Sequence, residues 1–152
     1  MIQIIPGDFS DHRVVDLLHT HLTSARAATA PGSAHALDLT GLQSRDVSFW
    51  TSWDNKELLG FGALKRLSPD HGEVKSMHTA EAMRGRGAGR AMLRHLIATA
   101  RATGLSLLSL ETGSWEYFRP AWSLYRSHGF RECPPFADYR QDPNSIFMAL
   151  DL

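Results

Sequence analysis

The stretch Arg84-Gly85-Arg86-Gly87-Ala88-Gly89-Arg90 decides how the rest of the chain is read. Before it, Gly72 to Thr79 reads as a strand. After it, Ala88, Met92, Leu93, Leu96, Ile97 and Ala100 recur at helical spacing, so a long amphipathic helix opens inside the stretch. The glycines let the backbone turn sharply and come close to a ligand. The new helix points its free N–H groups and positive dipole end back at the loop. Arginines add full charges. A strand, a glycine-arginine loop and a helix start make an anion cradle, best suited to a pyrophosphate.

Other readings of the same residues exist. A P-loop ends in Gly-Lys-Ser/Thr; here Gly89 is followed by Arg90 and Ala91, which excludes it. A dinucleotide fingerprint needs G-x-G-x-x-G inside a βαβ unit. The spacing here is G-x-G-x-G, and the preceding strand reads as half of an antiparallel hairpin. Glu111 does lie about twenty residues on, as that fingerprint asks, so the reading stays open. A tight strand-to-helix turn with solvated arginines is the plain structural alternative. Arg86, Arg90 and Arg94 follow i, i+4 spacing and are expected to share a helix face.

The chain has 152 residues, enough for one domain with a sizeable core. Its 16 basic and 16 acidic residues cancel, so no global field favours nucleic acid or a membrane surface. Cys133 is the only cysteine, which excludes an intramolecular disulfide and reads as structural. The apolar run at Met1–Pro6 is too short for a signal peptide, and no run approaches a membrane span. A soluble, cytoplasmic protein is expected. The eight histidines show no H-x-x-x-H or Cys/His cluster, so no metal is expected.

Further along, Ile2 to Ile5 reads as a first strand, stopped by Pro6-Gly7. Ser10 or Asp11 caps a helix whose buried face is Val14, Leu17, Leu18, Leu22 and Ala25. Residues 27–41 read as a loop, with a short helix around Asp38 to Gln43. Strands follow at Val47–Trp53, Leu58–Leu67 and Glu73–Thr79 as a meander. Beyond the long helix, Gly104 is a stop signal, and Leu105–Leu110 reads as a buried strand. A helix at Pro120–Ser127, a short strand at Phe130–Cys133 and a last strand at Ser145–Leu150 complete the series. Trp50, Trp53, Trp115, Phe118 and Trp122 are expected in the core or a pocket wall, not on a base-stacking platform.

Two motifs coincide. Arg84, Gly87 and Gly89 meet an R-x-x-G-x-G pattern, and Ala121-Trp122-Ser123-Leu124-Tyr125-Arg126-Ser127-His128-Gly129-Phe130 meets A-x-x-L-Y-x-x-x-G-F. Together they resemble the acetyl-coenzyme A loop and the late signature of the GNAT superfamily of N-acetyltransferases, and the element order agrees over nearly the whole chain. The C-terminal Pro135-Phe136, Tyr139, Asp142-Pro143-Asn144-Ser145 and Phe147-Met148 resemble a bacterial subgroup whose substrates are uncharacterised.

The resemblance implies a single-domain α/β GNAT fold over residues 1–152, with a mixed central sheet splayed between the fourth and fifth strands and flanked by helices. It implies acetyl-CoA as co-substrate, with Met77, His78 and Thr79 pairing with pantetheine through their backbone. Backbone N–H groups of Arg84, Gly85, Arg86, Gly87, Ala88, Gly89 and Arg90 would hold the pyrophosphate. Acetyl would pass directly to a primary amine of a small molecule or peptide.

By the same match, Tyr125 is the acid for the departing thiolate and the Met77 N–H an oxyanion donor. Glu73 is the candidate base; Glu111 would bind the acceptor's ammonium, and His78 is a further base candidate. Many relatives carry Asn just after the fifth strand, where Thr112-Gly113 stands here. A homodimer is a further expectation from the family. A CoA-binding module without turnover and a dinucleotide-binding oxidoreductase are the alternatives. The acceptor is expected to be chosen by the region from His19 to Gln43.

Overall fold

The meander expected from Val47 to Thr79 is part of one continuous sheet. A computed structural model of the chain describes residues 1–32 and 37–152. The strands are β1 (Ile2–Pro6), β2 (Val47–Asp54), β3 (Glu57–Arg66), β4 (His71–Thr79), β5 (Leu107–Gly113), β6 (Arg131–Glu132) and β7 (Ser145–Asp151). The helices are α1 (His12–Ala27), α2 (Leu39–Leu42), α3 (Ala88–Ala102) and α4 (Arg119–Ser127), with single 3-10 turns at Glu81–Met83 and Glu116–Phe118. The sheet runs β1-β2-β3-β4-β5-β7-β6. Among the described residues only β4 and β5 pair in parallel, as the crossover through α3 requires.

Local chemistry accounts for most boundaries. The Asp11 carboxylate accepts from the Arg13 N–H and caps α1, and Asp38 accepts from the Gly41 N–H and caps α2. Asn55, with φ +55°, turns β2 into β3. Gly104, with φ +85°, ends α3.

Each face of the sheet carries its own core. On one, Val14, Leu18 and Leu42 from the first two helices pack on Phe49, Phe61 and Ala63. On the other, Met92, Leu93, Leu96, Ile97 and Ala100 of α3 cover Leu64, Val74, Leu108, Leu110 and Met148, and Tyr125 and Phe130 close that layer. Each fully buried Leu there stabilises the fold by roughly 1.5–3 kcal/mol. At Gly62 a Cβ would meet the Met92 Cγ at 2.6 Å, so glycine lets α3 lie close against β3.

Several boundaries differ from the sequence reading. The fifth strand begins at Leu107, not Leu105, and runs on to Gly113. The N–H groups of Ser106 and Leu107 both donate to the Asp70 carbonyl, which closes the turn after α3 and delays the strand. Its extension is held by pairing of Glu111, Thr112 and Gly113 with Phe147, Ile146 and Ser145. Pro6 stays in β1, an edge strand where its missing N–H is tolerated. The strand expected at Phe130–Cys133 shrinks to Arg131–Glu132, and the last strand reaches Asp151. Arg86 lies outside α3, so it does not share a helix face with Arg90 and Arg94. Trp115 is 43 % exposed and not a core residue.

The sheet does not stay closed. Pairing between β4 and β5 is limited to His71–Leu107, Gly72–Leu108 and Glu73–Ser109. Beyond Glu73 the two strands diverge. Ser76, with φ +52°, sits where the β3–β4 register slips between the Phe61 and Ala63 pairs, a bulge that bends β4 away from its partners.

Candidate active site

The glycine-arginine loop lines one arm of a cleft of about 460 Å³ that continues along β4 to the fork. Met77, His78, Thr79, Arg84, Gly85, Gly87, Ala88, Gly89 and Arg90 all line it. Gly87, at φ +84°, occupies the N-cap of α3, and no side chain caps that helix. The first-turn N–H groups therefore remain available for an anion. A Cβ built at Gly85 or Gly87 meets nothing within 4 Å, so the loop stands over open space. These features fit a diphosphate. Arg86 does not line the cleft; its guanidinium lies 3.6 Å from the Glu57 carboxylate.

At the fork a second cavity, of about 120 Å³, is lined by residues that include His21, Glu73, Lys75, Met77, Glu111, Phe118, Tyr125 and Tyr139. His21, Met77 and Tyr125 line both spaces, so the two meet there. Glu73 is 3 % exposed. Its Oε2 accepts the Tyr139 hydroxyl at 2.6 Å and lies 3.3 Å from the Lys75 ammonium, which in turn donates to the Tyr139 oxygen at 2.8 Å. Tyr139 comes from the loop before β7 and Lys75 from β4, so these three residues join distant parts of the chain at the base of the fork.

Burial shapes the titration of the remaining groups. It pushes the Glu111 carboxyl up to about 7. Burial, aided by Glu111, pushes the Tyr125 hydroxyl up to about 12. His21 and His78, with ring centroids 4.8 Å apart, are both held down at about 4. Burial is the main cause in both; the His78 ring adds to it at His21, and Arg84 adds to it at His78. Both imidazoles are neutral at pH 7.

A family model described as the Acetyltransferase (GNAT) family matches residues 15–130. The chain is 46 % identical over 145 residues to "Uncharacterized N-acetyltransferase YsnE" of Bacillus subtilis, covering 95 % of this chain and 96 % of that protein. It is 42 % identical over 152 residues to "Uncharacterized N-acetyltransferase YedL" of Escherichia coli, covering 100 % and 96 %. The chain belongs to the GNAT acetyltransferase family.

The fold of this acetyltransferase superposes on a Klebsiella pneumoniae structure provisionally named an acyl-CoA N-acyltransferase. The TM-score is 0.83 at 28 % identity, covering 100 % of this chain and 98 % of that one. It also superposes on a Bacillus subtilis acetyltransferase solved in complex with CoA, with TM-score 0.74 at 21 % identity and coverage of 100 % and 99 %. The protein is thus an acetyl-CoA-dependent acyltransferase with the splayed mixed sheet of its family. Among the described residues no group of three or more His, Cys, Asp or Glu is placed to hold a metal. Among them, too, no helix is long and apolar enough to cross a membrane.

The residues singled out by sequence converge on this cleft, Arg86 excepted. The spacing on one strand face already offers Lys75 as a partner for Glu73; what went unnoticed is the link of that pair to Tyr139, across 64 residues of chain, and His21. No spacing in the sequence signals such a contact. The region from His19 to Gln43 contributes His21, Ala25 and Thr29 to the fork cavity; its residues 33–36 lie outside the described residues.

Proposed function

We propose that this acetyltransferase moves acetyl from acetyl-CoA directly to a primary amine of a small molecule or peptide. The observation that carries this reading is the fork itself. An anion cradle and a carboxylate-bearing cavity share a wall that includes Tyr125 and Met77. Arg84 to Arg90 hold the pyrophosphate through backbone N–H groups, with the charge of Arg84 and Arg90 in support. Met77, His78 and Thr79 offer strand-like backbone to the pantetheine arm, and the Met77 N–H serves the developing oxyanion. Bound there, the thioester supplies the activated acetyl group.

Glu73 and Glu111 stand on the acceptor side. Glu111 attracts an ammonium, and the two carboxylates supply the base function the amine requires. Tyr125 protonates the leaving sulfur. Its raised pKa adds a condition. A phenolate at this buried position is unfavourable, so Tyr125 must receive a proton as it gives one, acting as a relay. Two copies of the chain pairing as a homodimer and a cytoplasmic location complete the proposal.

The test is a screen of primary amines with acetyl-CoA, read as thiol release, on wild type and Tyr125→Phe. Turnover by wild type with a kcat about a hundredfold lower in the variant, at unchanged acetyl-CoA affinity, is expected. Acetyl-CoA binding with no amine turned over would leave a CoA-binding module. Weakened cofactor binding in Tyr125→Phe would make the tyrosine a packing residue.

A further inference from the structure

We infer that Phe118, seated on Gly113, sets the length of acyl group this enzyme accepts: acetyl and propionyl thioesters fit, butyryl and longer ones do not. This role rests on the reading above that brings the thioester to the fork. It concerns the acyl end of the donor, which the glycine loop does not touch.

The acyl group has to sit where the two spaces meet. His21, Ala25, Met77, Phe118, Ala121 and Tyr125 line both the donor cleft and the fork cavity. Tyr125 serves the sulfur and the Met77 N–H the carbonyl oxygen. The alkyl end is left to the apolar members Ala25, Phe118 and Ala121. Of these three only Phe118 is bulky enough to act as a stop.

The chain holds this ring in place. Phe118 ends the single 3-10 turn that follows β5. A Cβ at Gly113 would overlap the Phe118 ring, so glycine is what lets the ring lie against the end of the strand. The turn is tied down on both sides. Ahead of it, the Ser114 hydroxyl donates to the Pro143 carbonyl at 2.6 Å, and the Trp115 indole N–H donates to the Asn144 Oδ1 at 2.9 Å. Behind it, the Trp122 indole N–H donates to the Gly113 carbonyl at 2.7 Å. The Phe118 N–H itself donates to the Trp115 carbonyl at 2.9 Å. The backbone that carries the ring is thus fixed, with the ring between Gly113 and the cavity.

Space and solvation close the other routes. The cavity of about 120 Å³ has to take the acyl end and the head of the acceptor together. A wider hollow of about 550 Å³ adjoins it through Glu73, Lys75 and Tyr139. An alkyl chain laid along that route would strip solvation from a buried ion pair. Each methylene beyond propionyl therefore meets either the ring or a charge. A pocket of this kind discriminates by about tenfold or more per methylene.

The experiment compares acetyl-, propionyl-, butyryl- and hexanoyl-CoA on wild type, Phe118→Leu and Phe118→Ala. Calorimetry gives the affinity of each thioester with no acceptor present, and thiol release with an amine from the screen gives kcat/KM. Melting curves check that each variant is folded. Wild type is expected to prefer acetyl-CoA over hexanoyl-CoA by about tenfold or more in affinity, and by more in kcat/KM. Phe118→Ala should cut that preference by about tenfold or more, chiefly by gaining affinity for hexanoyl-CoA. Phe118→Leu should fall between the two. A wild type that takes hexanoyl-CoA as well as acetyl-CoA overturns the assignment. So does a folded Phe118→Ala that keeps the wild-type preference or weakens every thioester alike. If no amine is turned over, the amine-acceptor reading falls, and the calorimetric preference still decides the role of Phe118.

Discussion

The two ends of the cleft are built from different materials. The donor end is backbone: a glycine loop, the uncapped start of α3 and the bulged strand β4, all within residues 71–90. The acceptor end is side chains: Glu73 and Lys75 from β4, Glu111 from β5, Tyr125 from α4 and Tyr139 from a distant loop. The donor end is local in sequence, the acceptor end assembled over long range. A ligand with a fixed diphosphate and amide arm can be held by main chain that any member of the fold can offer. An acceptor must be read by side chains, whose charges are decided by burial.

The contrast breaks most sharply at Gly87. Gly87→Asp puts a carboxylate where the diphosphate should sit, and two like charges at about 4 Å near a surface repel by about 4 kcal/mol. Acetyl-CoA affinity by calorimetry should fall about a thousandfold, beyond a modest loss of melting temperature from the strain of a side chain at φ +84°. Unchanged affinity would remove the loop from the donor site.

Next in size is Lys75→Met. Glu73 and Lys75 are only 3 % and 10 % exposed, so removing the ammonium strands a buried carboxylate. A loss of about 3–5 kcal/mol in denaturant unfolding at pH 7 is expected, with acetyl-CoA affinity of the folded protein retained. If cofactor affinity fell in step with stability, the two ends would not be separable as described.

The smallest effect is the sharpest test of what the loop uses. The Arg86 guanidinium is turned to Glu57. Arg86→Ala should therefore change acetyl-CoA affinity by less than about twofold, since exposed ion pairs contribute little. A loss of tenfold or more would mean that this side chain swings to the phosphates.

Much of the fold was legible because its signals are local. The buried residues of α3 are those whose spacing marked them: Ala88, Met92, Leu93, Leu96, Ile97 and Ala100. Of the two caps the sequence offers for α1, Ser10 and Asp11, it is Asp11 that caps it. Strand ends were read less well, because β5 stops where β7 stops pairing with it, not where its apolar run ends. Tyr125 and the loop could be singled out by motif. Lys75 and Tyr139 could not be joined, since nothing in the chemistry of either residue names the other.

What the sequence alone determined is therefore the periodic and the contiguous: helix faces, turns, and a glycine loop feeding a helix N-terminus. The tertiary structure alone decided which carboxylate is tied to an ammonium and a phenol. Glu73 and Glu111 are the same residue type on neighbouring strands. One lies where the strands still pair and is tied to Lys75 and Tyr139; the other lies beyond the parting, half-buried beside the Ser145 hydroxyl and without a salt bridge among the described residues. Charge in a protein interior is set by solvation and neighbours, and both exist only once the chain has folded.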